Sequence, residues 1–126
     1  ININLIYSFL SIIIIFTNIY LISIITSHLQ GKFSDIDSIN RLVLLITFFF
    51  TPIIYSEDIL PDKSQFILQL NPFYHFFKIY NTPILNLEIT NQYFISWIVS
   101  LSFTAVMFVV ANVIYKKFNN QITNLF

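Results

Sequence analysis

Two long stretches without charge restrict how this chain can fold more than any other feature. No Asp, Glu, Lys or Arg occurs in residues 1–31, and none occurs between Glu88 and Lys116. A helix needs about 20 mostly apolar residues to cross the hydrocarbon core of a bilayer. Both stretches are longer than this, so the sequence predicts membrane-spanning helices over residues 5–27 and 93–115.

The composition excludes several other classes of protein. Of the 126 residues, 56% are hydrophobic and only 10% are charged, whereas a soluble domain has about 25% charged residues. Six basic residues balance six acidic ones, so no basic patch for nucleic acid is expected. A single glycine, Gly31, cannot build a glycine-rich phosphate loop, and the absence of cysteine excludes thiolate metal sites and thiol nucleophiles.

Polar and small residues repeat at helical spacing in both predicted spans. They are Asn4, Ser8, Ser11 and Asn18 in the first span, and Ser96, Ser100, Thr104 and Ala111 in the last. An asparagine at mid-membrane would lose its hydrogen bonds if it faced lipid. We therefore expect each of these faces to pack against protein.

A shorter apolar segment lies between the two spans. Residues 42–55 are apolar but short for a perpendicular crossing, so the predicted span covers residues 40–55, with Arg41 extending to the interface. Pro52 near its end predicts a kink or an early stop. The hydrophilic loop of residues 28–39 precedes it, with Gly31 as a helix stop and Ser34 or Asp35 as the next cap.

Residues 62–80 predict two short helices. The first covers about residues 62–70 and the second about residues 72–80, because Asn71-Pro72 is a cap followed by a favoured first-turn residue. We expect Thr82-Pro83 to end the second helix. Neither helix can cross a bilayer alone, so the pair predicts a re-entrant hairpin that enters and leaves at one face.

Basic residues set the expected orientation. Loop 28–39, extended to Arg41, and tail 116–126 each carry two Lys/Arg, so both are predicted to be cytoplasmic, and Lys116 and Lys117 are expected to end the last helix. Three spans with a cytoplasmic C-terminus place Ile1 outside. This suggests that an odd number of spans precedes the sequence.

No catalytic, cofactor or metal site is predicted. His28 with Asp35 and Asp37 could form an acid/base pair or part of a metal site, but we interpret them as a solvated loop, since no second histidine is near. His75 lies among aromatic residues and is interpreted as a hydrogen-bonded interfacial histidine. No ionisable residue lies centrally in a span, which disfavours ion-coupled transport.

Aromatic residues are concentrated around the predicted hairpin. They are Phe48, Phe49, Phe50, Phe73, Tyr74, Phe76 and Phe77. Singly, such rings most often face lipid. As a group on a broken segment, they are also typical of a path for a sugar or a lipid.

Two segments carry a recognisable order of motifs. Phe33, Asp35 and Ile36 form the first motif, and Thr51, Pro52, Ile53 and Tyr55 the second; Leu60-Pro61 is the third, and Asn71, Pro72, Phe73, Tyr74 and His75 form the fourth. In order and spacing these resemble the C-terminal half of ABC-2 type permeases that export O-antigen, teichoic acid and related polysaccharides. Ser34 and Asn81 stand where that family usually has arginine.

The resemblance implies an all-α polytopic membrane protein, in which this chain supplies three spans and the re-entrant hairpin of a six-span permease. It implies a homodimer in the bacterial cytoplasmic (inner) membrane, with ATP and Mg²⁺ bound by a separate ABC ATPase subunit. Its cargo would be a lipid-linked glycan, and the chain itself would not be an enzyme. Phe33, Asp35 and Ile36 would lie near the ATPase.

The same resemblance implies a translocation path and gate, formed by Phe50, Pro52, Tyr55, Asn71, Pro72, Phe73, Tyr74, His75 and Phe76. Two other classes stay open from the residues themselves. One is a permease for a drug or a lipid. The other is a membrane-embedded enzyme that processes glycolipids, which should show clusters of histidine or acidic residues at a membrane face.

Overall fold

The computed structural model describes residues 2–53 and 55–125, with Glu57 described by its backbone alone. This part of the chain is helical and contains no strand. The elements are α1 (Ile3–Gln30), α2 (Ile36–Phe50), a 3-10 turn (Glu57–Ile59), α3 (Asp62–Gln69), α4 (Pro72–Ile84) and α5 (Asn91–Thr123). The prediction of an all-α chain is confirmed.

Helices α1 and α5 are each long and apolar enough to cross a membrane. At 28 and 33 residues they measure about 42 and about 50 Å. In the most apolar 18-residue stretch of each helix, only 22% of α1 and 17% of α5 is buried within the protein. A helix that is apolar on nearly all sides and mostly uncovered by its own chain is suited to lipid. These two helices therefore fit a helical membrane protein.

The two long helices run parallel and pack along their polar faces. Tyr7 meets Tyr93 with ring centroids 6.0 Å apart, Asn18 bonds Thr104 at 2.7 Å, and His28 meets Tyr115 at 6.0 Å. These contacts follow the same order in both helices, which fixes the parallel direction. The expected protein-facing sides are confirmed, since Ser8, Ser11 and Asn18 of α1 and Ser96, Ser100 and Ala111 of α5 are buried.

Helix α4 packs against both α1 and α5. Phe76, Ile79 and Tyr93 form the buried core, and Ile14, Ile15, Phe73, Trp97 and Phe103 pack around it. Helix α3 contacts α4. The two predicted hairpin helices are thus present as α3 and α4, with Asn71 between them.

The predicted end of the second hairpin helix is wrong by one turn. Pro83 lies inside α4, which continues to Ile84. The helix ends where Asn86 adopts a left-handed φ of 50° and the amides of Asn86 and Leu87 donate to the carbonyls of Pro83 and Thr82, a Schellman motif. Proline is tolerated there because Tyr93 donates its hydroxyl to the carbonyl of Ile79 at 3.4 Å, the group that the missing amide of Pro83 would have bonded.

The prediction that Lys116 and Lys117 end the last helix is also wrong, because α5 continues to Thr123. Lysine is a good helix former, and both side chains are exposed. A helix of about 50 Å exceeds a hydrocarbon core of about 30 Å. Charge therefore marks where α5 leaves lipid, not where it ends.

Helix α2 turns back along α1. Gln30 donates to the carboxylate of Asp37, which places the start of α2 beside the end of α1, and Gly31 caps α1 as expected. Asp35 is the N-cap residue of α2, although its side chain makes no capping bond. The helix covers Ile36–Phe50 and stops before Pro52, so a crossing over residues 40–55 stays a prediction.

Candidate functional site

The turn between α3 and α4 is held by Asn71. Its side-chain oxygen accepts from the amide of Phe73 at 3.0 Å, which caps α4, and Pro72 occupies the first helical position. The side-chain amide of Asn71 also reaches Thr51 Oγ1 at 3.4 Å. One residue therefore starts α4 and ties the hairpin to the end of α2.

The start of α4 lies deep beside α5. The rings of Phe73 and Phe76 lie 6.3 and 5.8 Å from the ring of Phe103. Phe103 is twelve residues beyond Asn91, where α5 begins, or about 18 Å along the helix. At its other end, α4 leads to Asn86, which accepts a 3.1 Å bond from Asn4 near the start of α1. Helix α4 therefore rises from this depth to the end at which α1 and α5 begin.

An apolar cavity of about 420 Å³ opens between α1, α2 and α4. Two predicted path residues, Phe73 and Phe76, line it. The other lining residues are Ile15, Asn18, Ile19 and Ile22 of α1, Leu44, Thr47 and Phe48 of α2, Thr51 and Ile53 after it, and Phe77 and Tyr80 of α4. This cavity joins the hairpin aromatics to a concave surface.

Other predicted path residues lie in a second cavity, near the end of α2. It measures about 270 Å³ and is lined by Phe49, Phe50, Tyr55, Leu60, Ser64, Ile67 and Leu68. The hydroxyl of Tyr55 donates to the carbonyl of Phe49 at 3.1 Å. Pro52 is buried. Phe50 and Tyr55 are thus in a different cavity from Phe73 and Phe76.

Tyr74 and His75 occupy a third place, a polar cavity of about 150 Å³ between the end of α3, α4 and α5. His75 is buried, with Nε2 2.7 Å from the carbonyl of Gln69 and Nδ1 3.0 Å from the hydroxyl of Ser96. A carbonyl only accepts, so Nε2 carries a proton.

The motif of Phe33, Asp35 and Ile36 is at the opposite end of the helices. These residues connect α1 to α2, and Phe33 and Asp35 are exposed. The amide of Phe33 donates to the carbonyl of Leu29 at 2.9 Å. The structure therefore separates the predicted cytoplasmic motif from the hairpin.

The interpretation of His28 as a solvated loop residue is wrong. It belongs to the last turn of α1 and is half-buried, with Tyr115 and Phe118 at ring-centroid distances of 6.0 and 5.4 Å. Its Nδ1 lies 2.7 Å from the carbonyl of Ile24. Over the described residues, no group of three His, Cys, Asp or Glu could hold a metal ion.

The cavity between α1, α2 and α4 also contains residues outside the predicted path. It is lined by Tyr80, Thr47 and Phe77. Of these three, only Phe77 belongs to the aromatic residues that the sequence concentrates around the hairpin. Phe73, Phe76, Phe77 and Tyr80 are spaced three, four and seven apart from Phe73, which is the pattern of one helix face. That spacing could have identified all four. Thr47 and Asn18 carry no such signal, because their place depends on how α1, α2 and α4 pack.

Comparison with known proteins places the chain in a family. The family described as ABC-2 type transporter matches residues 1–85, about two thirds of the sequence. The chain belongs to this family.

Curated relatives are similar over a shorter stretch. Two O-antigen export system permease proteins RfbA of Klebsiella pneumoniae are 39% and 37% identical to the chain over 51 residues. Each match covers 40% of this chain and 20% of the relative, so the chain matches about a fifth of the relatives' length. No solved structure gives a significant match.

Proposed function

We propose that the chain is part of the permease subunit of an ATP-driven exporter in the bacterial cytoplasmic membrane, where the permease is a multi-pass protein. The exporter moves a lipid-linked polysaccharide of O-antigen, teichoic acid or capsule type across that membrane. The family supports a transport subunit. The polysaccharide follows from the names of two relatives, together with the aromatic hairpin. Aromatic side chains bury large apolar faces on which sugar rings can stack.

One observation carries the proposal, namely that α4 presents aromatic rings to a cavity shared with α1 and α2. Phe73 and Phe76 line this cavity at the start of α4, just after the turn capped by Asn71. A movement of α3 and α4 would change the width of the cavity. The hairpin therefore acts as a gate, and no covalent bond is made or broken in this chain.

The proposed partners follow from this role. A separate ABC ATPase binds ATP and Mg²⁺ and contacts the α1–α2 connection around Phe33, Asp35 and Ile36. A second copy of the permease completes the path for the lipid-linked glycan, and membrane lipid surrounds both. This chain needs no cofactor of its own.

A permease for an apolar substrate, such as a lipid or a drug, is the second candidate. The observation that favours it is the lining of the cavity of about 420 Å³, where Asn18, Thr47, Thr51 and the hydroxyl of Tyr80 are the polar groups. Glycans carry many hydroxyl groups and usually meet more hydrogen-bonding partners. Stimulation of the ATPase by a purified lipid, and not by lipid-linked glycan, would favour this candidate.

The first test is export by cells that carry alanine at Phe73, Tyr74 or Phe76. We expect less glycan at the cell surface and more inside, with normal membrane insertion of the protein. Phe66→Ala is the matched control, because Phe66 lies on α3 with 62% of its surface exposed and lines none of the three cavities described. Unchanged export in all three variants would mean that these rings only pack.

The partnership is tested separately by affinity purification of the intact protein from mild detergent. We expect a stoichiometric ATPase and vanadate-sensitive ATP hydrolysis. Recovery of the protein alone, under conditions that keep a known transporter together, would contradict an ABC permease role.

A further inference from the structure

Lys78 is a half-buried cation with neutral partners. Its ammonium lies 3.2 Å from the hydroxyl of Tyr74 and 3.3 Å from Oε1 of Gln92, and 5.4 Å from the centre of the Tyr74 ring. The polar cavity beside it is lined by Gln69, Tyr74, His75, Lys78, Gln92, Ile95 and Ser96. Among the side chains that the structure describes, none that lines this cavity is acidic.

The position of the cavity matters because a charge near lipid needs a partner. Gln92 is the second residue of α5, and it is followed by Tyr93 and Trp97, residue types that favour the membrane interface. Lysine at this level directs its ammonium toward the headgroups. A negatively charged group at headgroup depth would therefore be a suitable ligand for Lys78.

The shape and chemistry of the cavity suit a phosphate. Its volume of about 150 Å³ corresponds to about five water molecules at about 30 Å³ each. Tyr74 and Gln92 accept from two of the three N–H donors of Lys78, which leaves one for a ligand. The exposed side chains of Gln69 and Gln92 offer amide donors at the rim. Buried Tyr74, His75 and Ser96 form the floor, and exposed Ile95 gives one side an apolar edge suited to an acyl chain.

From this arrangement we propose that the cavity around Lys78 binds the phosphate group of an anionic membrane lipid at the face where α1 and α5 begin. The site concerns a lipid of the surrounding bilayer, so it does not depend on which substrate the protein exports. A bound lipid would connect the end of α3, α4 and α5, and so would stabilise the packing of the hairpin against α5.

Lipid binding to the intact protein tests the proposal, measured by native mass spectrometry and by thermal unfolding in detergent. Phosphatidylglycerol should bind more tightly than a diacylglycerol with the same acyl chains, a comparison that needs no variant. Lys78→Met should weaken phosphatidylglycerol binding by about tenfold or more, as expected for a charge-assisted hydrogen bond. Lys78→Arg should bind nearly as tightly as the unaltered protein.

Lys63→Met is the matched control, because Lys63 is exposed on α3 and does not line the cavity. The Lys63→Met protein should bind phosphatidylglycerol as tightly as the unaltered protein. Inorganic phosphate at millimolar concentration should not displace the lipid. If it does, and if the displacement depends on Lys78 in the same way, the site binds free phosphate and the proposal of a lipid ligand is wrong. Equal binding of the diacylglycerol, or unaltered binding by folded Lys78→Met protein, would overturn the proposal altogether.

Discussion

Asn18 of α1 donates a 2.7 Å hydrogen bond to the hydroxyl of Thr104 on α5, near the middle of both long helices. The same amide reaches the carbonyl of Ile14 at 2.9 Å, and Thr104 donates to the carbonyl of Ser100 at 2.7 Å. This chain of bonds fixes the register of the parallel pair. It also satisfies the side-chain nitrogen of Asn18 and the hydroxyl of Thr104, which would be costly in lipid without partners. The side-chain oxygen of Asn18 is buried without a partner among the described residues.

The first prediction concerns this bond. Thr104→Val keeps the shape of the side chain but removes its oxygen. The free energy of unfolding should therefore fall by about 0.6 kcal/mol, the average for interhelical hydrogen bonds in membranes, and by at most about 1.7 kcal/mol. Thr17→Val is the control, because Thr17 is exposed and bonds only within its own helix. Denaturation in mixed micelles gives both values, and equal losses would mean that the Asn18 contact adds no stability.

The second prediction concerns the hairpin turn. Asn71→Ala removes the 3.0 Å cap on the amide of Phe73, and should cost about 1 kcal/mol of unfolding free energy. Asn71→Ser retains a capping oxygen and should recover most of this loss, although it gives up the contact with Thr51. If serine is as destabilising as alanine, the contact with Thr51 and not the cap stabilises the turn.

The third prediction tests the pairing of Tyr93 with the proline of α4. Tyr93→Phe removes the hydroxyl that donates to Ile79 and leaves a buried carbonyl unpaired. In a Pro83→Ala background the new amide supplies that bond, so the same change should cost less. A double-mutant cycle measures the difference, which we expect to be about 0.5 to 1.5 kcal/mol. Additive effects would contradict the pairing.

Much of the fold follows from local patterns in the sequence. The two long spans, their polar faces and the break at Asn71-Pro72 could all be predicted, because each depends on spacing within one helix or on one cap. The continuation of α4 past Pro83 could not, since it depends on Tyr93 from another helix. The parallel pairing of α1 and α5 likewise depends on contacts between residues 86 positions apart.

The candidate site was predictable to a smaller extent. Phe73 and Phe76 could be selected because aromatic residues cluster after a helix start. Their division from Phe50 and Tyr55 into separate cavities could not, because it depends on where the end of α2 lies. His75 was expected to be hydrogen-bonded, and it is, but its partner Ser96 comes from α5.

The central claim is that α3 and α4 enter and leave the membrane at one face, with Asn71 deep between them. Single-cysteine labelling measures this directly, because the chain has no cysteine of its own. With an impermeant maleimide, cysteines replacing Lys63 and Leu87 should react from the same side, one replacing Ser34 only from the other side, and one replacing Asn71 from neither. Reaction of the Lys63 and Leu87 positions from opposite sides would contradict the re-entrant hairpin.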